Sequence, residues 1–117
     1  MRGQRAYLAG QSAEDRVARR YCDAGATVAA RRWRGKAGEI DLIFRDGARV
    51  IFVEVKASST RDRAAVALGP RQIARLHRAA AEFLAGEPAG QDTETRFDVA
   101  LVDAPGRIEV IENALLL

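Results

Sequence analysis

Asp41, Glu54 and Lys56 are two acids and a base spaced so that one β-hairpin can bring them together. They lie in Gly38–Lys56, which reads GEIDLIFRDGARVIFVEVK. Asp46-Gly47, between two runs of period-two apolar residues, predicts a tight hairpin. With those two residues as the loop, Ala48 faces Arg45, Phe52 faces Asp41 and Glu54 faces Glu39. Alternation places Glu39, Asp41 and Ile43 on one side of the sheet, with Val50, Phe52, Glu54 and Lys56 on that same side. Asp41 is then diagonal to Glu54, within reach of one shared ion. Burying unpaired charge is costly, and a divalent cation beside the two carboxylates would offset it. Two strand ends facing water, with a solvated Glu54/Lys56 pair, account for the same pattern. A longer loop would change the register.

Other elements must position the rest of a site. The pattern predicts a first helix from about Gln11 to Ala24, stopped by Gly25, with Val17, Ala18 and Tyr21 facing inward. Glu14 shares that face. It is either a third acid aimed at the hairpin or a first-turn acid reaching water. Cys22 reads as a small buried hydrophobe. Arg31, Arg32, Trp33, Arg34, Gly35 and Lys36 follow a short strand at Thr27–Arg31. Basic residues around one aromatic can clamp a backbone and stack on a base; a charged loop around a packed Trp is the plainer alternative. Gly69-Pro70 opens a second helix with Ile73, Leu76, Ala80, Phe83 and Leu84 on its apolar side. Arg71, Arg75 and Arg78 form a basic stripe on it, and Gln72 reads as a surface residue. His77, the only histidine, reads as a packed or boundary residue.

Composition bounds the rest. The chain has 117 residues, 48% of them apolar, enough for one domain with a real core. A single cysteine excludes an intrachain disulfide scaffold or a cysteine-based zinc site. No stretch is apolar enough to span a bilayer, and the start lacks the apolar core of a signal peptide, so no membrane and a cytoplasmic location are the expectation. Net charge is +3, unevenly spread. Residues 1–40 carry nine Arg/Lys against four Asp/Glu, residues 41–80 eight against four, and residues 81–117 two against eight. The basic part suits a polyanion. Residues 1–9 read as a poorly ordered arm and 57–68 as a loop. Strands are expected at 96–102 and 108–111, with a turn at Pro105-Gly106 and an apolar tail from Ala114 to Leu117. The order predicts an α/β fold, a mixed β-sheet flanked by helices.

GEIDLI at 38–43 and FVEVK at 52–56 resemble the PD-(D/E)XK nuclease pattern. More narrowly, the chain resembles the YraN-like uncharacterised bacterial family, which is similar in fold to archaeal Holliday-junction resolvases. The likeness also runs through AGQSAEDRVARRY at 9–21, RRWRGKAGEIDLI at 31–43, Gln72 in PRQIARL and RFDVALV at 96–102. Two features depart from the pattern: Ala13 replaces the second glycine of a GxxGE start, and Ala57-Ser58 follows FVEVK where a basic residue is usual. The resemblance implies a single restriction-endonuclease-like domain over 1–117 and a metal-dependent nuclease acting on DNA, with branched or junction DNA the first expectation. Mg²⁺ or Mn²⁺ would be held by Asp41, Glu54 and the Val55 carbonyl. Lys56 would orient or deprotonate the attacking water, Glu14 complete the shell, and Gln72 position water or phosphate. Arg31, Arg32, Trp33, Arg34, Lys36, Arg71, Arg75 and Arg78 would hold nucleic acid without reading sequence. A homodimer would pair two such sites. A non-catalytic nucleic-acid-binding module needs only the arginines, and a structural or protein-interaction role needs neither them nor the acids.

Overall fold

The computed structural model describes residues 2–57 and 69–114, with the side chains of the first helix described from Ala13 onward. Helix α1 spans Arg2–Asp23, and strands β1 (Thr27–Arg34), β2 (Glu39–Asp46) and β3 (Arg49–Ala57) follow. Helix α2 (Pro70–Leu84), a short 3₁₀ turn (Gly90–Asp92), β4 (Thr95–Val102) and β5 (Ile108–Ile111) complete the chain. The strands form one mixed sheet in the order β1-β2-β3-β4-β5. All neighbours are antiparallel except β3 and β4, which run parallel and are joined through α2. A parallel pair requires such a crossover.

The helices cover opposite faces, so both sets of alternating strand residues are buried. Val17, Ala18 and Tyr21 of α1 pack with Leu42, Phe44, Ile51, Val53, Ala100 and Val102. Leu76, Ala79, Ala80 and Leu84 of α2 pack with Ile43, Val50, Phe52, Val99 and Leu101. The apolar stripes expected on both helices are therefore the packed ones. His77 stacks on Phe97, with ring centroids 4.3 Å apart, and is a boundary residue as expected.

Several expectations are corrected. The arm expected at 1–9 is helical from Arg2, because its Arg, Gln, Ala and Leu residues favour helix and no proline interrupts them. Strand β1 runs on to Arg34, so Arg31–Arg34 are strand rather than loop. Cys22 is exposed, since it lies one step past Tyr21 and turns away from the sheet. The hairpin pairs Asp46 with Arg49, Arg45 with Val50 and Ile43 with Phe52, which makes Gly47-Ala48 the two-residue loop. Gly47 adopts φ +64°, the left-handed conformation that the first position of a Gly-X hairpin loop demands. The register thus differs by two residues from that expected. Residues 58–68 and the apolar tail at 115–117 lie outside the described residues.

The buried polar groups of the α1 face form one closed network. Asp98 is fully buried. It accepts hydrogen bonds from the Tyr21 hydroxyl at 2.6 Å, from the Arg96 Nε at 2.9 Å and from the Asn113 backbone N–H at 3.0 Å. Burial, then the bond to Asp98, pushes the Tyr21 hydroxyl well above the usual phenol range. This network ties α1, β4 and the segment after β5 together, and it stands apart from the acids of the hairpin.

Candidate active site

The two-residue slip in register leaves the sheet faces unchanged, because side-chain direction repeats every two residues. Asp41 moves from diagonal to directly opposite Glu54, one step beyond the last ladder pair, Leu42 with Val53. There β2 separates from β3. The backbone N–H of Val55 donates to the Asp41 carboxylate at 2.8 Å instead of to a β2 carbonyl. The Asp41 carboxyl lies close enough to Glu54 to act on its titration.

Glu54 is buried. Ile40, Phe52, Leu76 and Phe97 wall its surroundings, leaving a void of only about 10 Å³, at the lower limit for one water. Its carboxyl is pushed up to about 9, first by that burial, then by the hydrogen bond to Asp41 and by the Asp41 charge. Lys56 and Gln72 act in the opposite direction: the ammonium charge and the Gln72 Nε2–H, donating at 3.0 Å, favour the carboxylate. Lys56 follows Glu54 by two residues in a regular strand and so shares its face. Gln72, which sequence alone reads as a surface residue, is the contact through which the first turn of α2 reaches the acid pair.

Glu14 is placed differently. It accepts from Arg32 Nε at 3.1 Å. Arg32 stands across the β1–β2 ladder from Asp41, bracketed by the pairs Arg31–Leu42 and Trp33–Ile40. Among the described residues no three His, Cys, Asp or Glu side chains gather around one point. Two carboxylates and a peptide carbonyl are nonetheless a donor set that suits Mg²⁺, which keeps several waters and commonly takes only one or two carboxylates from the protein. The upward push that burial and Asp41 give the Glu54 carboxyl is what a divalent cation beside it would relieve.

The basic residues fall into two groups. On β1, Arg31 pairs with Asp15 at 2.8 Å, Arg32 with Glu14, and Arg34 with Glu39 at 3.4 Å. Trp33 is half-buried and meets Phe83 edge to face at 5.6 Å, so its ring belongs largely to the core under α2. On α2, Arg71, Arg75 and Arg78 are exposed and form no ion pair with another described residue. Their stripe continues into Glu82, whose carboxylate accepts the backbone N–H groups of Lys36 and Ala37, each at 2.7 Å. Gly38 sits at φ +154°, and a Cβ there would come within a tight 3.0 Å of Arg75 Cδ. The loop 35–38 is thus clamped under α2, beside the strand end that carries Asp41. Sequence reasoning missed Glu82, and only its place on the Arg71–Arg75–Arg78 stripe hinted at it.

The other cavity of note, open and about 230 Å³, is lined by Arg20, Tyr21, Ala24, Arg96, Val110 and Glu112. It holds none of the residues expected in the site. No helix among the described residues is long and apolar enough to cross a membrane.

Comparison with known proteins agrees with the reading of the family. A profile described as "Uncharacterised protein family UPF0102" matches residues 13–102. A UPF0102 protein of Cereibacter sphaeroides is 62% identical over 114 residues, covering 97% of each chain. One from Ruegeria pomeroyi is 60% identical over 113 residues, covering 97% of this chain and 92% of its own. One from Dinoroseobacter shibae is 47% identical over 112 residues, covering 96% of this chain and 84% of its own. The profile takes in Glu14, the whole β2–β3 hairpin, Gln72 and the Arg stripe, and the relatives match nearly end to end: the chain belongs to the UPF0102 family.

Proposed function

We propose that this protein is a metal-dependent nuclease with a restriction-endonuclease-like core, hydrolysing phosphodiester bonds in DNA. One observation carries the reading: the first turn of α2 sets Gln72 on Glu54, beside Asp41, while the same helix carries Arg71, Arg75 and Arg78 exposed and without an ion pair among the described residues. An acid pair suited to a divalent cation is thereby joined to a surface suited to a phosphate backbone. The antiparallel hairpin bearing both acids, and the parallel β3–β4 pair bridged by a helix, fit that core.

Asp41, Glu54 and the Val55 carbonyl would hold Mg²⁺ or Mn²⁺. Such an ion supplies charge relief at the phosphoryl oxygens and a water of lowered pKa. Lys56, on the Glu54 face, orients the attacking water and balances negative charge as the phosphorus gains its fifth oxygen. Gln72 holds the Glu54 carboxylate in place. Arg71, Arg75 and Arg78 grip the backbone irrespective of sequence. Two copies acting on two strands would form a homodimer.

The test offers junctions, flaps, single strands, duplexes and structured RNA with Mg²⁺ or Mn²⁺. Cleavage stopped by EDTA is expected, with junction DNA the first choice. Asp41→Ala and Glu54→Ala should each abolish cutting yet leave binding, and Lys56→Ala should lower the rate while sparing metal affinity. Salt-sensitive binding with neither cleavage nor metal uptake would establish the non-catalytic module instead.

A further inference from the structure

The β1–β2 pair carries a bulge between Val28 and Ala30 and breaks its alternation again beside Asp41. Ile40 and Leu42 would share a face in a regular strand, yet Ile40 packs on the α2 side and Leu42 on the α1 side. Opposite them, Arg31 reaches Asp15 of α1 while Trp33 packs toward α2. The residue between these two is Arg32, at φ +48°. Only one other described residue besides glycine has a positive φ, Asn113. Asparagine tolerates that conformation; arginine in a strand rarely adopts it. Strain of this kind clusters where a fold holds a functional group in place.

We infer that Arg32 is a positioning residue for Asp41. Its left-handed backbone turns the β1–β2 pair, so that β2 leaves β3 at Asp41. In an uninterrupted hairpin of this register, position 40 would be hydrogen-bonded to position 55. Instead the Asp41 carboxylate takes the Val55 N–H, at 2.8 Å, and meets Glu54. The ion pair from Arg32 to Glu14 ties the turned backbone to α1. Glu14 thus acts on the acid pair through Arg32 and not as a third member of it. The functional weight of the assignment rests on the metal-site reading above; its structural content does not.

Amide hydrogen exchange of metal-free protein separates the two. In the wild type, Asp41→Ala should speed exchange at Val55 by tenfold or more, because the carboxylate is the acceptor. The same should hold in Arg32→Gly and Arg32→Asn, which accept a positive φ. In Arg32→Ala, Arg32→Lys and Arg32→Val the strand should straighten, the Ile40 carbonyl should take over the Val55 N–H, and Asp41→Ala should change exchange less than threefold. Mn²⁺ affinity should follow the same order, with Gly and Asn retaining it and Ala, Lys and Val losing tenfold or more. If Arg32→Val fails to fold, Arg32→Ala and Arg32→Lys decide the matter. Sensitivity to Asp41→Ala that survives in Ala and Lys, or that tracks the charge at position 32 and not its backbone, overturns the inference. Exchange that follows the expected order in a protein that binds no Mn²⁺ would uphold the positioning role and sink the metal site alone.

Discussion

Replacing Glu54 by glutamine should make the metal-free protein more stable above neutral pH and erase much of its pH dependence. Burial and Asp41 push the Glu54 carboxyl up to about 9, against 4.5 for an unperturbed glutamate. The folded state therefore holds this proton more tightly than the unfolded chain does. Its stabilising share is fully present below about pH 4.5 and is lost as pH rises towards 9. The slope is at most about 1.4 kcal/mol per pH unit, so the loss between pH 5 and 8 is at most about 4 kcal/mol. For a domain of this size, roughly 3–5 °C of Tm per kcal/mol, that is a fall of about 10–20 °C. Glu54→Gln mimics the protonated carboxyl and carries no such slope. Thermal unfolding in EDTA at pH 5, 6.5 and 8 should show the two proteins close together at low pH and diverging upward, with the variant the more stable at pH 8. Mg²⁺ should close the gap from the wild-type side, because the ion binds the deprotonated acid, and at a hundredfold excess over Kd it contributes about 2.7 kcal/mol. Parallel pH profiles, or a wild type that gains on the variant as pH rises, would refute the reasoning.

Changing Arg71, Arg75 and Arg78 together to glutamine should weaken binding to unrelated nucleic-acid sequences alike. For duplex DNA the slope of log affinity against log salt should fall by about 2.7, from three lost phosphate contacts; an unchanged slope in filter or anisotropy titrations would remove α2 from the interface. Tyr21→Phe should cost about 1–3 kcal/mol in denaturant unfolding, because buried Asp98 loses one of its donors while Arg96 and Asn113 remain. Glu82→Ala should release the Lys36 and Ala37 amides, seen as faster exchange at those two positions with the β2–β3 hairpin amides unchanged.

How much of this was legible depended on which quantity the sequence encodes redundantly. The meeting of Asp41 and Glu54 survived an error in the loop. Asp46-Gly47 and Gly47-Ala48 predict registers two residues apart, and a shift of two preserves faces where a shift of one would exchange them. The helix stripes were legible for the same reason: several apolar residues vote for each face. Single long-range contacts have no such redundancy. Nothing adjacent to Glu82 announces that its carboxylate caps a loop 45 residues earlier. The burial of Asp98 had a faint signal, one acid inside RFDVALV, but its partner Tyr21 lies 77 residues away. The left-handed turn at Arg32 had no signal, since glycine or asparagine would ordinarily mark it.

Charge gives a further reason to propose a polyanion at α2. A net charge of +3 on 117 residues is modest, and arginine-rich composition alone identifies no surface. Pairing does. Arg31, Arg32, Arg34, Arg45, Arg49, Arg96 and Arg107 each stand against an aspartate or glutamate. Arg16 and Arg20 reach backbone carbonyls of the β4–β5 region. Neutralised arginines project little field beyond a Debye length of about 8–10 Å. Arg71, Arg75 and Arg78 lack that compensation among the described residues, share one helix face, and begin one residue from the glutamine that touches Glu54. A backbone phosphate drawn to that stripe would arrive next to Glu54 and Asp41. Glu54, whose carboxyl burial and Asp41 push up to about 9, would repel it less than a free carboxylate would. Under the proposed function, a substrate and a cation would arrive together, with the ion offsetting the acids as the arginines offset the phosphates.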